Sequence, residues 1–195
     1  MCTVVAALLV LTAAHAASGD SGTVKGTISA AAGPVADAVV MIDTPSAPPP
    51  AGAPHAVVTQ RDMKFTPHVL AFVAGTTVDF PNQDPLLHNV VSSSPAKRFD
   101  LGMYPQGQTK SVTFDTPGVV ELRCHAHPEM SAFVIVHSSP YAAVTDKRGV
   151  YTITGVPAGS YPVRIWHETL APRATTVTVR AGGVQPLDAR LERRR

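Results

Sequence analysis

The segment Cys124-His125-Ala126-His127-Pro128-Glu129-Met130 places a thiol, an imidazole and a thioether at successive three-residue steps. Far upstream, Phe80-Pro81-Asn82-Gln83-Asp84-Pro85-Leu86-Leu87-His88-Asn89-Val90 supplies a second imidazole at His88. One Cys, two His and one Met form the donor set of a blue-copper site, with three strong ligands in a trigonal plane and a weak axial sulfur. Zinc also accepts thiolate and imidazole, but a thioether is a poor zinc ligand, so the set fits copper better. Taken singly these residues are ordinary. His88 reads as a turn or surface histidine, Met130 as core packing and Cys124 as a small buried hydrophobe. Their joint occurrence, C-x-x-H-x-x-M downstream of D-x-x-x-H-N-V, is what points to a metal. His125 competes for the second imidazole position. In an extended segment its side chain points opposite to that of Cys124, which favours His127.

For these donors to meet, Cys124 must end a β-strand, and the loop after it must turn His127 and Met130 back toward one point. His88 must then come from a strand end at the same pole of a sandwich. The chain supplies such strands. Val69 to Val73, Thr77 to Phe80, Ser111 to Phe114, Val119 to Cys124 and Ala132 to Val136 are short apolar or alternating runs, with breaks at Asn82, Asp84-Pro85, Gly107 and Pro117-Gly118. Strands at this spacing predict an all-β sandwich or barrel over 56–137. Upstream, Val24, Gly26 and Ile28 alternate, Gly33-Pro34 is expected to turn the chain, and Ala38 to Ile42 forms a second strand. Residues 44–55 carry five prolines and read as a semi-rigid linker. The strand pattern restarts after Pro140 with a turn at Asp146 to Gly149, another at Val156 to Gly159, and further strands to Leu191. The N-terminal hairpin is marginal alone and needs partners, which the C-terminal strands can offer.

Composition narrows the function classes. Of 195 residues, 45% are hydrophobic and 15% charged, the mark of a folded chain, and 18 prolines argue against long helices. The net charge of +2 is accounted for by Leu191 to Arg195, of which Arg193 to Arg195 is expected to be a disordered tail. A neutral body makes a poor nucleic-acid binder. No apolar run approaches the ~20 residues of a transmembrane segment. Thr3 to Ala14 followed by Ala14-His15-Ala16 has the h-region and A-x-A site of a signal peptide over 1–16, although Met1-Cys2 lacks the positive charge of an n-region. Removing it takes Cys2 away and leaves Cys124 as one free thiol, expected to be occupied in an oxidising compartment, periplasmic or secreted. His55, His68, His137 and His167 are expected to be structural or solvated, and Lys97-Arg98 and Tyr104 to lie on a solvated loop. No Ser-His-Asp order or phosphate-cradling glycine loop is present, so no enzyme activity is expected.

Phe80 to Val90 together with Cys124 to Met130 resembles the cupredoxins, close to the short-loop amicyanin and plastocyanin-like members, over about 56–137. The resemblance implies a Greek-key β-sandwich in which His88, Cys124, His127 and Met130 hold one type 1 copper ion and Asn89 braces the ligand loops near the thiolate. The flanking Gly33 to Val40, Thr145 to Tyr151 and Val156 to Tyr161 resemble a carboxypeptidase-regulatory or transthyretin-like, Ig-like sandwich. The implied organisation is a signal peptide (1–16), a discontinuous outer sandwich (22–43 plus 141–192), a linker (44–55) and an inserted cupredoxin (56–137). This combination is similar to exported bacterial plastocyanin-like or methylamine-utilisation-like proteins. The function so implied is that of a one-electron carrier meeting a redox partner protein. Two rivals stand beside it: a copper chaperone or storage protein, and a metal-free module binding carbohydrate or protein.

Overall fold

The computed structural model describes residues 20–45 and 55–194. The expected signal peptide and all but the ends of the Pro-rich linker lie outside those residues. Every regular element among them is a strand. The first segment holds β1 (Ser21–Ala30), β2 (Gly33–Pro34) and β3 (Val39–Ile42). The middle holds β4 (Ala56–Val57), β5 (Thr59–Arg61), β6 (Lys64–Thr66), β7 (Val69–Val73), β8 (Thr76–Pro81), β9 (Val91–Ser94), β10 (Lys97–Asp100), β11 (Thr109–Phe114), β12 (Gly118–Arg123) and β13 (Ser131–His137). The last holds β14 (Ala142–Val144), β15 (Val150–Pro157), β16 (Gly159–Trp166), β17 (Arg173–Val179), β18 (Val184–Pro186) and β19 (Ala189–Arg190).

The early strands find their partners late in the chain. β1 pairs with β15, β18 and β19, and β3 lies between β14 and β16. The two resulting sheets enclose Val24, Ile28, Val40, Ile42, Val163 and Ile165. A second sandwich stacks the sheet β10-β9-β12-β13-β7 on β11-β8-β4, around Phe80, Phe114, Leu122 and Val134. We call these the outer and inner sandwiches. The turn expected at Gly33-Pro34 falls instead on Ala31-Ala32, because Ala30 and Gly33 are already a bonded pair. Lys97-Arg98 belongs to the edge strand β10 and not to a loop, its polar residues being tolerated where one side of the ladder is open. The basic end is anchored as well: Arg193 bridges Leu170, and the Arg194 guanidinium donates to the carbonyls of Leu170 and His167 at 2.9 Å each.

Two continuous apolar runs tie the sandwiches together. In β3 all four residues are buried, because alternate side chains serve different cores. Val40 and Ile42 face the outer core, whereas Val39 and Met41 face the inner sandwich. β13 does the same: Val134 and Val136 point into the inner core, and Phe133 and Ile135 point out toward Trp166. The same alternation brings His137 to Asp43 and Arg164 at the margin of this contact. The Nε2 of His137 lies 2.8 Å from Asp43 Oδ1 and its Nδ1 lies 2.9 Å from the Ser139 carbonyl, while Arg164 donates to both Asp43 oxygens at 2.7 and 2.9 Å.

The Arg164 hydrogen bonds hold the Asp43 carboxyl below the usual carboxylate range, against the opposing effect of burial and with help from His137. A lowered folded value means that Asp43 stabilises the protein fully above the unfolded carboxylate pKa of about 3.9 and loses that contribution as pH falls through the folded value. Asp43→Asn is therefore expected to lower the urea midpoint at neutral pH. Its deficit relative to the parent should shrink as pH is lowered below about 4.

Candidate metal centre

Alternation along two adjacent strands puts a thiol and a thioether side by side. On β12 the buried positions Val120 and Leu122 continue to Cys124, which is 2% exposed. On β13 the buried series Val136, Val134, Ala132 runs back to Met130, which is 1% exposed. Because Leu122 pairs with Ala132, Cys124 and Met130 are the next cross-strand neighbours on the same face. The Cys124 N–H donates to the Met130 carbonyl at 3.3 Å, and the Met130 N–H donates to the His127 carbonyl at 2.9 Å, closing the loop between the strands. His127 is half-buried on that loop.

His88 arrives from the segment joining β8 to β9 and is fully buried. Its backbone is pinned by Tyr104, whose N–H donates to the His88 carbonyl at 2.9 Å. The Nε2 of His88 lies 2.8 Å from Asp84 Oδ2, four residues earlier, and the Asp84 oxygens also accept the N–H groups of Asp62 and Met63 at 2.7 and 2.8 Å. Burial pushes the Asp84 carboxyl up, but the N–H groups of Met63 and Asp62, together with His88, outweigh it and hold the group below its ordinary value. An ionised Asp84 keeps the proton of His88 on Nε2 and leaves Nδ1 as a lone-pair donor. That Nδ1 lies 3.8 Å from the Cys124 sulfur, and the His127 Nδ1 lies 3.7 Å from it. The three donor atoms of His88, Cys124 and His127 fall within 4.8 Å of one another, and the two imidazole rings are 4.6 Å apart.

The other expected residues sort clearly. His125 is exposed and outside the donor group; its N–H donates to Asn89 Oδ1 at 2.8 Å. Asn89 thereby ties the His88 segment to the residue after Cys124. His55 pairs with Asp79, His68 with Glu168 and His137 with Asp43, and the His167 Nδ1 accepts the Thr169 N–H. Tyr104 corrects its expectation. It is 1% exposed, and its hydroxyl donates to the Phe80 carbonyl at 3.0 Å and accepts from the Gln60 amide. Burial pushes its phenol up to about 12, so no charge arises there beside the sulfur. Its mixed polar surroundings, Gly102-Met103-Tyr104-Pro105-Gln106, hide the burial in the sequence. The role of Asp84 was also hidden, although its D-x-x-x-H spacing to His88 was a visible signal.

A buried free thiol with two imidazole nitrogens at these distances is chemically suited to a borderline or soft ion, and copper or zinc both fit the Cys-His part of the set. Comparison with known proteins sharpens the choice. The family described as copper binding proteins, plastocyanin/azurin family, matches residues 53–137, and the carboxypeptidase regulatory-like domain matches residues 128–192. Amicyanin-alpha of Methylorubrum extorquens is 34% identical over 90 residues, covering 45% of this chain and 74% of that protein. Among solved structures, a copper(I) amicyanin variant is 25% identical over 50% of this chain and 98% of its own, with a TM-score of 0.41. The copper-containing nitrite reductase of Thermus scotoductus SA-01 is 26% identical over 43% of this chain, also with a TM-score of 0.41, and the match spans only 22% of the reductase.

The carboxylate behind His88 yields a prediction. Asp84→Asn removes the charge that fixes the His88 tautomer. Metal affinity, measured by competition with a chelator, should fall about 10–100-fold.

Proposed function

Because the chain belongs to the plastocyanin/azurin family of copper-binding electron carriers, we propose that it is an exported one-electron carrier whose copper is held by His88, Cys124, His127 and, axially, Met130. The observation that carries this reading is the convergence of the sulfur and two Nδ1 atoms from stretches of chain 36 residues apart. Copper bound there supplies a one-electron couple between Cu(I) and Cu(II). The chain's part is to hold the donors still: Asp84 fixes His88, Asn89 fixes the residue after Cys124, and two backbone bonds fix the loop bearing His127. A rigid donor set changes little between oxidation states, which keeps the cost of transfer low. Four protein donors leave no open position for a substrate, so the site fits a carrier and not a catalyst.

His127 is the most exposed of the proposed ligands and is the proposed entry point for electrons. Exposed Leu86 and Leu87 belong to the His88 segment, and exposed Met63 and Met103 are bonded to it or adjoin the Tyr104 bridge. Exposed apolar side chains on the segments that carry or flank His88 suit brief docking with a redox partner protein. No helix among the described residues is long and apolar enough to cross a membrane. Export rests on the N-terminal h-region and A-x-A site, and the sheet pairing supports one outer sandwich (22–43 plus 141–192) interrupted by the cupredoxin (56–137).

Absorption spectra test the proposal. The copper(II) protein is expected to be intensely coloured, and Cys124→Ser to abolish the colour; a colourless parent protein ends the reading. Met130→Leu should keep the colour and raise the midpoint potential, because the axial donor tunes it. Reversible voltammetry without loss of the ion separates a carrier from a storage protein.

A further inference from the structure

Met130 is followed directly by the first residue of β13, and His68 of the inner sandwich, backed by Glu168 of the outer one, holds that end of the strand. The Ser131 carbonyl accepts from the Nδ1 of His68 at 3.1 Å, and the other nitrogen of the same ring lies 2.8 Å from Glu168 Oε2. The Phe133 N–H donates to the His68 carbonyl at 2.8 Å. The Phe133 ring meets the His68 ring edge-on at 5.7 Å and packs on Trp166 at 5.3 Å. Trp166 and Glu168 both belong to the outer sandwich, at the end of β16 and in the loop after it. Residues 131 and 133 are thus held by backbone and side chain alike, one to three positions from the thioether. Beside this hold, the Cys124 N–H to Met130 carbonyl bond is long at 3.3 Å.

We infer that the outer sandwich braces the axial side of the metal centre, with Glu168, His68 and Trp166 as positioning residues for Met130. The inference rests on Met130 as the axial donor. On this view the outer sandwich takes part in setting the potential. Releasing the brace lets the thioether donate less, which weakens the oxidised state more than the reduced one and raises the midpoint.

The test uses the full chain with Glu168→Ala, Glu168→Gln and His68→Phe. In the metal-free protein, amide exchange at Met130 and Cys124 is expected to be about fivefold faster in Glu168→Ala and His68→Phe. It should stay near the parent rate in Glu168→Gln, whose side-chain amide can donate to the His68 Nε2 while the Nδ1–H stays on the Ser131 carbonyl. Exchange at Val120, on the same sheet but remote from the brace, should not change. Trp166, the sole tryptophan, reports by its emission that the sandwiches stay together in each variant. In the copper-loaded protein the midpoint should rise in the first two exchange-accelerated variants and not in Glu168→Gln. If Glu168→Ala and His68→Phe both leave the Met130 amide and the midpoint unchanged, the brace is overturned. Acceleration spread equally over Val120 overturns it too, because the contact would then be a general support. Should the parent protein take up no coloured copper, the carrier reading fails, while the exchange measurements still decide the brace.

Discussion

Holding a sulfur and two imidazole nitrogens within 4.8 Å in a largely buried pocket is a demand on the whole inner sandwich. Buried polar atoms without partners are costly, and one thiol proton can serve only one of the two imidazole nitrogens at a time. The surrounding chain meets that demand from behind. Asp84 takes the far nitrogen of His88, the Tyr104 backbone pins the His88 segment, and Asn89 links it to the loop after Cys124. Each of these partners is itself bonded elsewhere, so a shift in one donor would have to break several hydrogen bonds together.

The same economy explains why the two sandwiches share strands of double duty. A strand with both faces covered must be apolar at every position, and β3 and the distal part of β13 satisfy that rule. One face of each builds a core and the other builds the contact between sandwiches. Where the contact reaches solvent the alternation ends in charge, at His137 with Asp43 and Arg164. The outer sandwich is joined to the inner one along β13, the strand that leads directly away from Met130.

Several features misled by composition. Tyr104 sits in a run of Gly, Pro and Gln that reads as loop, and the backbone there is indeed irregular. Its burial comes from Gln60 and Phe80, partners that lie far off in sequence. The basic end of the chain reads as a free tail because charge favours solvent, yet Arg194 spans two backbone carbonyls of the loop after β16. In each case the deciding partner is distant, and residue type alone carries no trace of it.

What was legible without coordinates is what depends on residue type and short-range spacing. The C-x-x-H-x-x-M segment offers the candidate donors, the period-two runs name the strands, and the alternation rule excludes His125 from the face of Cys124. What required the folded chain is everything set by which strands become neighbours. The approach of His88 to Cys124, the carboxylate of Asp84 behind the ring, and the grip of Trp166 and Glu168 on β13 join residues from separate elements. Local preference fixes a side chain's face along its own strand. Only packing between sheets selects what that face meets.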